Sequence, residues 1–88
     1  MAPHRRRPAW WEWDVELSTH VERRMPRREF NEVELRAMLQ RAERIRRDHV
    51  EGRFIVEARY RRRAWHVIVE PDHERMCILV ITAYPVST

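Results

Sequence analysis

Residues 53–84 read Arg53-Phe54-Ile55-Val56-Glu57-Ala58-Arg59-Tyr60, a basic turn Arg61-Arg62-Arg63, then Ala64-Trp65-His66-Val67-Ile68-Val69-Glu70, a polar turn, and Met76-Cys77-Ile78-Leu79-Val80-Ile81-Thr82-Ala83-Tyr84. Strands place alternate side chains on opposite faces, and all three segments suit that period. In the first, Phe54, Val56, Ala58 and Tyr60 share a face opposite Arg53, Ile55, Glu57 and Arg59. In the second, Trp65, Val67 and Val69 oppose Ala64, His66, Ile68 and Glu70. In the third, Met76, Ile78, Val80, Thr82 and Tyr84 oppose Cys77, Leu79, Ile81 and Ala83. The third segment is apolar on both faces, which predicts a central strand with the first strand of the chain beside it. Arg61–Arg63 and Glu70–Arg75 read as the hairpin turns, and Pro85 as the end of the sheet.

Upstream, Trp11, Trp13, Val15 and Leu17 alternate with Glu12, Asp14 and Glu16, a further half-buried strand. Ser18 or Thr19 can cap a short helix whose stripe is Leu17, Val21 and Met25 and which Pro26 is expected to stop. Asn31 with Glu34 three residues on forms a capping box, and Phe30 with Leu35 a hydrophobic staple. The helix they start is expected over Glu32–Arg46, with Leu35, Met38, Leu39, Ala42 and Ile45 as its buried stripe. Gly52, the only glycine, marks the entry to the sheet. The expected fold is α+β: two N-terminal helices on one face of a four-stranded, mainly antiparallel sheet, in the order strand-helix-helix-strand-strand-strand. Residues 1–9, with two prolines and a run of arginines, read as a basic tail, and residues 10–88 as a single domain.

At 88 residues the chain has room for one core. One cysteine excludes an internal disulfide and a cysteine-based zinc site, and Cys77 sits in an apolar run that suits a buried thiol. No apolar segment follows Arg5–Arg7, and the longest apolar run is too short to span a bilayer, so neither a signal peptide nor membrane association is expected, and the cytoplasm is the default location. All 18 basic side chains are arginine, against 14 acids, a net charge of +4. Guanidinium groups pair with phosphate in bidentate fashion and stack on bases, which favours a polyanionic partner.

No glycine-rich phosphate loop, His-Glu-x-x-His motif or nucleophile elbow is present, and the five histidines are scattered, so no metal or cofactor is expected. Polar residues stand where packing does not require them. His20 lies in the first turn of the short helix, where an imidazole can act as a general base, and Arg23 and Arg24 follow it. Arg53, Glu57 and Arg59 leave one face of a strand, His66 lies on the next, and Thr82 and Tyr84 close the last. This set suits metal-free cleavage of RNA, in which the 2′-OH attacks the adjacent phosphate. Each residue also has a plain structural reading: a half-exposed helix position for His20, a solvated sheet face for Arg53, Glu57 and Arg59, edge packing for Tyr84.

Residues 17–42, with Glu51-Gly52-Arg53, Ala64–Pro71 and Val80–Pro85, resemble a family of small bacterial proteins. That family is similar in turn to the RelE/ParE-like toxins of the barnase–EndoU–colicin–RelE group of ribonucleases. The resemblance implies a RelE-like fold and metal-independent RNA cleavage, with His20, Arg59, Glu57, Tyr84 and Thr82 as catalytic residues. Arg23, Arg24, Arg53 and His66 are the expected nucleic-acid contacts. The implied partners are RNA and an antitoxin or immunity protein. Two other readings stay open. One is a non-catalytic module binding nucleic acid or protein on the same scaffold. The other is a homodimer formed through an exposed sheet edge.

Overall fold

The computed structural model describes residues 7–28 and 30–86, and the side chains of 24 and 26–28 lie outside that description. The predicted tail therefore falls mostly outside it. A short 3-10 helix, Ala9–Glu12, leads into β1 (Asp14–Leu17), α1 (Thr19–Arg28), α2 (Glu32–Gln40), β2 (Ala42–Arg47), β3 (Phe54–Tyr60), β4 (Arg63–Asp72) and β5 (Cys77–Pro85). The strands form one five-stranded mixed sheet in the order β1-β5-β4-β3-β2. β5 lies between β1 and β4, paired parallel to the first and antiparallel to the second.

This corrects the expected α+β architecture of two helices on a four-stranded sheet, and with it the RelE-like assignment. The predicted second helix ends at Gln40, and Ala42–Arg47 is a fifth strand paired antiparallel with β3. The reason is a β-bulge. Between Ala42 and Arg44 the register shifts by one residue, so that Ala42 and Glu43 together stand opposite Ala58. A bulge puts two residues opposite one, so side chains three apart return to the same face. Ala42 and Ile45 both join the core that way, with the spacing a helix would have required. The first strand is shorter than the alternation suggested, because Ala9–Glu12 coils and only Asp14–Leu17 pairs. α1 continues past Pro26 to Arg28.

The capping signals act as predicted. The Asn31 side chain accepts from Glu34 N at 2.9 Å, and Glu34 Oε1 accepts from Asn31 N at 3.0 Å. Ser18 Oγ accepts from Val21 N at 3.1 Å, so Ser18 caps α1. Val21 from α1 and Leu35 and Met38 from α2 are fully buried against Val56, Val67, Val69 and Val80. Burial of each such side chain stabilises by about 1.5–3 kcal/mol. Aromatic pairs close the core: Trp10 on Phe54, with ring centroids 5.0 Å apart, and Phe30 edge-on to Trp65 at 5.5 Å. No helix of the described residues is long and apolar enough to cross a membrane.

A second bulge lies in β5. Ile68 pairs with Thr82 and Val69 with Val80, which leaves Ile81 without a partner. Val80 and Ala83 are both fully buried on the helix side. Thr82 and Tyr84 therefore leave the other face of the sheet.

Met76 ends the β4–β5 turn with φ 53°, and its side chain is 59% exposed. A left-handed backbone at a residue with a Cβ costs about 1–2 kcal/mol, partly offset on replacement by glycine's greater unfolded-state entropy. Met76→Gly is expected to stabilise the protein by about 0.5–1 kcal/mol, a rise of about 2–8 °C in Tm. A lower Tm in a thermal melt would show that the Met76 side chain contributes more than the turn strain.

Candidate functional site

The sheet face turned away from the helices carries an ordered set of polar side chains. Strand register places Arg44, Glu57, His66 and Tyr84 directly opposite one another across β2, β3, β4 and β5. With strands about 4.8 Å apart, this row spans about 14 Å. The next row is Arg46, Ile55, Ile68 and Thr82. Arg46 Nε donates to Glu57 Oε2 at 2.6 Å, and the His66 and Tyr84 rings meet at an angle of 63° with centroids 5.7 Å apart. The site therefore joins a carboxylate, an imidazole and a phenol on one surface, with guanidinium groups at the Glu57 end.

The electrostatics follow from the row. The Arg46 hydrogen bond is the largest influence on Glu57 and holds its carboxyl below the usual carboxylate range. Partial burial opposes this, and the charges of Arg46, Arg44 and His66 add to it. Farther along the face, Arg53 Nε donates to Glu70 Oε1 at 3.0 Å. Ile55 and Ile68 are buried on this helix-free face. They lie between the Arg46–Glu57 and Arg53–Glu70 pairs, whose aliphatic stems cover apolar surface while the charged heads stay in water.

The residues singled out from the sequence divide between two places. Glu57, His66, Thr82 and Tyr84 come together. Arg59 is exposed on the same face, two residue pairs nearer the β3–β4 turn. Arg53 is on that face but is paired with Glu70. His20 and Arg23 are exposed on α1, which belongs to the helix layer through Val21. Ser18 Oγ donates to Ile81 O at 3.0 Å, which sets the first turn of α1 against the β5 bulge beside Thr82. Among the described residues, however, His20 makes no hydrogen bond or ion pair. The side chain of Arg24 lies outside the described residues. Arg44 and Arg46 were missed because the expected helix ran through Arg46, which made both of them helix residues rather than strand neighbours of β3. The signal for them was Arg44-Ile45-Arg46, an alternation with one half-buried residue at its centre.

The row lies on an open surface. Cavities of about 200 Å³ between Trp11, Val15, Arg36 and Ile78 and about 100 Å³ beneath the β3–β4 turn lie away from it, and another at the rim of β2 meets the neighbouring row at Arg46. Small-molecule sites are concave and bury most of their ligand. An open row flanked by arginines suits an extended polymer. Among the described residues no three His, Cys, Asp or Glu side chains are placed to hold a metal ion. Cys77 is free and buried, and burial raises its thiol pKa, so it remains protonated and unreactive at neutral pH.

Because the Glu57 carboxyl titrates lower in the folded protein than in the unfolded chain, its pairing with Arg46 stabilises the fold above the ordinary carboxylate range. That contribution is lost as pH falls through the folded value. Both side chains are partly exposed, which limits the pair to about 1 kcal/mol. Glu57→Gln is therefore expected to lower Tm slightly at neutral pH, with the difference closing in acid. An equal difference in melts at both pH values would assign the loss to packing instead.

No curated protein and no solved structure matches the chain. A family model described as a domain of unknown function, DUF4258, matches residues 17–85. This span takes in α1, the whole of β2 to β5 and every residue of the polar row, and the chain belongs to that family.

Proposed function

We propose that the protein is a small metal-independent endoribonuclease of the toxin type and that it acts from the helix-free face of its sheet. The observation that supports this is the transverse row Arg44–Glu57–His66–Tyr84, an acid–base set beside guanidinium groups on a surface open to a polymer. In this reading His66 accepts the proton of an RNA 2′-OH. The 2′-oxygen attacks the adjacent phosphorus, and the bond from phosphorus to the 5′-oxygen breaks. The departing oxygen takes a proton from the Tyr84 hydroxyl. The products are a 2′,3′-cyclic phosphate and a free 5′-OH. Arg44 and Arg59 offset the charge that grows on the phosphoryl oxygens, and such preorganised donors supply a large share of catalysis. Glu57, held by Arg46, orients and charge-balances His66. The internal nucleophile comes from the RNA itself, so the scheme needs no metal-activated water.

His20 stands outside the row and is given no proton-transfer role. The reading thus moves the base from the helix, where the family resemblance put it, to β4. The alternative is a non-catalytic module that uses the same arginines to hold RNA. It has the same surface and differs only in turnover.

Labelled RNA incubated with the protein in EDTA is expected to yield fragments ending in 2′,3′-cyclic phosphate. Loss of a positioned acid–base group costs about 10²–10⁴-fold. His66→Ala is expected to lose activity on that scale, with Tm within a few degrees of the parent. His20→Ala is expected to retain activity to within about tenfold. The reverse pattern would return the base to α1, and RNA that is bound but never cut would favour the binding module.

A further inference from the structure

The two edges of the sheet carry opposite charge. β1 and β2 are the outer strands, and among the described residues each has a neighbour on one side only. Asp48 N donates to Arg53 O at 3.0 Å, a bond in phase with the β2–β3 register. Antiparallel strands alternate between bonded and unbonded pairs, so Arg44 and Arg46 turn their backbone groups to β3, and Ile45 and Arg47 turn theirs outward. In β1, Ser18 N donates to Val80 O at 3.0 Å, which directs Glu16 to β5 and leaves Val15 and Leu17 facing out. Among the described residues these outward groups meet one partner, the Arg36 guanidinium, which reaches Val15 O at 3.4 Å. An edge left in that state is a template for another strand.

The side chains decide which strand fits. On β2, Arg44 and Arg46 leave the helix-free face, and Ile45 packs on the core. On β1, Val15 and Leu17 stand beside Ile78 and Val80 and pack on the core, so Asp14 and Glu16 leave the helix-free face. Asp14 is exposed and, like Arg44, makes no ion pair among the described residues. Glu16 holds Arg75 and Arg46 holds Glu57, both at 2.6 Å, as surface pairs that a further charge can join. Pairing of either edge with itself is opposed. An antiparallel pair of β2 strands centred on Ile45 sets Arg44 against the partner's Arg46. A pair of β1 strands centred on Val15 sets Asp14 against the partner's Glu16, and like charges directly opposite destabilise. Each edge also carries a cavity, about 200 Å³ beside Val15 and about 380 Å³ beside Ile45 and Phe54.

We infer that the protein assembles head to tail, the basic edge β2 of one copy adding to the acidic edge β1 of the next. The strand directions agree. β1 runs with β5, and the antiparallel steps from β5 through β4 and β3 make β2 run against β1. A copy shifted along the sheet without being turned over therefore presents an antiparallel strand, with its helices on the same side. The outward backbone groups meet when Ile45 stands opposite the partner's Val15. That register sets Arg44 opposite the partner's Glu16 and Arg46 opposite the partner's Asp14 on the helix-free face. On the helix face it brings the two apolar side chains together beside the cavity at Ile45. Opposite-charge and apolar pairs directly across strands stabilise a sheet. The contact joins two different patches, so it leaves a free edge at each end and continues beyond a dimer. The inference goes beyond the proposed function and does not depend on it, although Arg44 cannot hold the partner's Glu16 and RNA at once.

The test is sedimentation velocity on the intact chain, without RNA, from about 1 μM to about 1 mM, the range of moderate to weak contacts. At low salt the average mass is expected to rise with concentration past that of a dimer. Raising salt from about 0.05 M to about 0.5 M is expected to weaken association at least about tenfold, because the charge pairs are exposed. Asp14→Arg and Arg46→Glu, each alone, are expected to weaken it at least about tenfold while keeping the far-UV circular dichroism of the parent, since each sets like charges face to face. Mixed in equal amounts the two variants are expected to associate again. The reversed β1 edge of one fits the reversed β2 edge of the other, and their two unaltered edges fit as before. Val15→Pro removes an outward N–H that β5 does not use, a place where an edge strand tolerates proline, and is expected to block assembly with the fold retained. A chain that stays monomeric at low salt and the highest concentration overturns the contact. So does association that survives both charge reversals, or a mixture of the two variants that stays as weak as either alone.

Discussion

Strand β5 is hydrogen-bonded on both edges, so a change in its phase changes the whole sheet. Its first half must send Ile78 and Val80 under the helices, and its last turn of pairing must send Ala83 there too. Those positions cannot share a face in a regular strand. The extra residue at Ile81 resolves the conflict and turns Thr82 and Tyr84 outward. Without it a phenol and a hydroxyl would lie beneath the helices, where buried polar groups require partners. With it they lie beside Ile68 and His66 on the open face. The same bulge receives the cap of α1 through Ser18 and Ile81, so one irregularity fixes both the first helix and the end of the polar row.

Charge is arranged around this frame in two ways. Arg46 with Glu57 and Arg53 with Glu70 cover an apolar strip of the sheet, and Arg75 with Glu16 ties the β4–β5 turn to β1. Arg36 with Glu32 supports α2. Partly exposed pairs of this kind add little stability, and their effect is chiefly to hold side chains in place. Arg44, Arg59, Arg62 and Arg63 make no ion pair among the described residues. They lie at the end of the molecule where β2, β3 and β4 meet the hairpin turn, near the polar row. A net charge of +4 understates this local concentration, and local concentration governs how a phosphate chain is steered.

Much of the local structure was legible in the chain. The capping box at Asn31 and Glu34 depends on contacts three residues apart, and so does the Ser18 cap. The inward faces of β3 and β4 follow from simple alternation. The two misreadings share one cause. A bulge gives a strand the i, i+3 spacing that otherwise marks a helix, so Ala42 and Ile45 read as the buried stripe of a helix that took in Arg44 and Arg46 as well. In β5 the same device turned Thr82 and Tyr84 away from the face that they were read to share with Ile78 and Val80. Of the site residues, Glu57 and His66 keep the side that alternation gave them, and Thr82 and Tyr84 change sides.

The sequence by itself determined the apolar positions, the caps, the turns and the excess of arginine, because each depends on neighbours within a few residues. Only the tertiary structure decided that Ala42–Arg47 is a strand, that β1 lies parallel to β5, and that Glu57, His66 and Tyr84 form one row. Those outcomes depend on register between segments far apart in the chain. Register is settled by which residues a shared core can bury together, and a bulge can shift it by one residue with little trace in the local pattern.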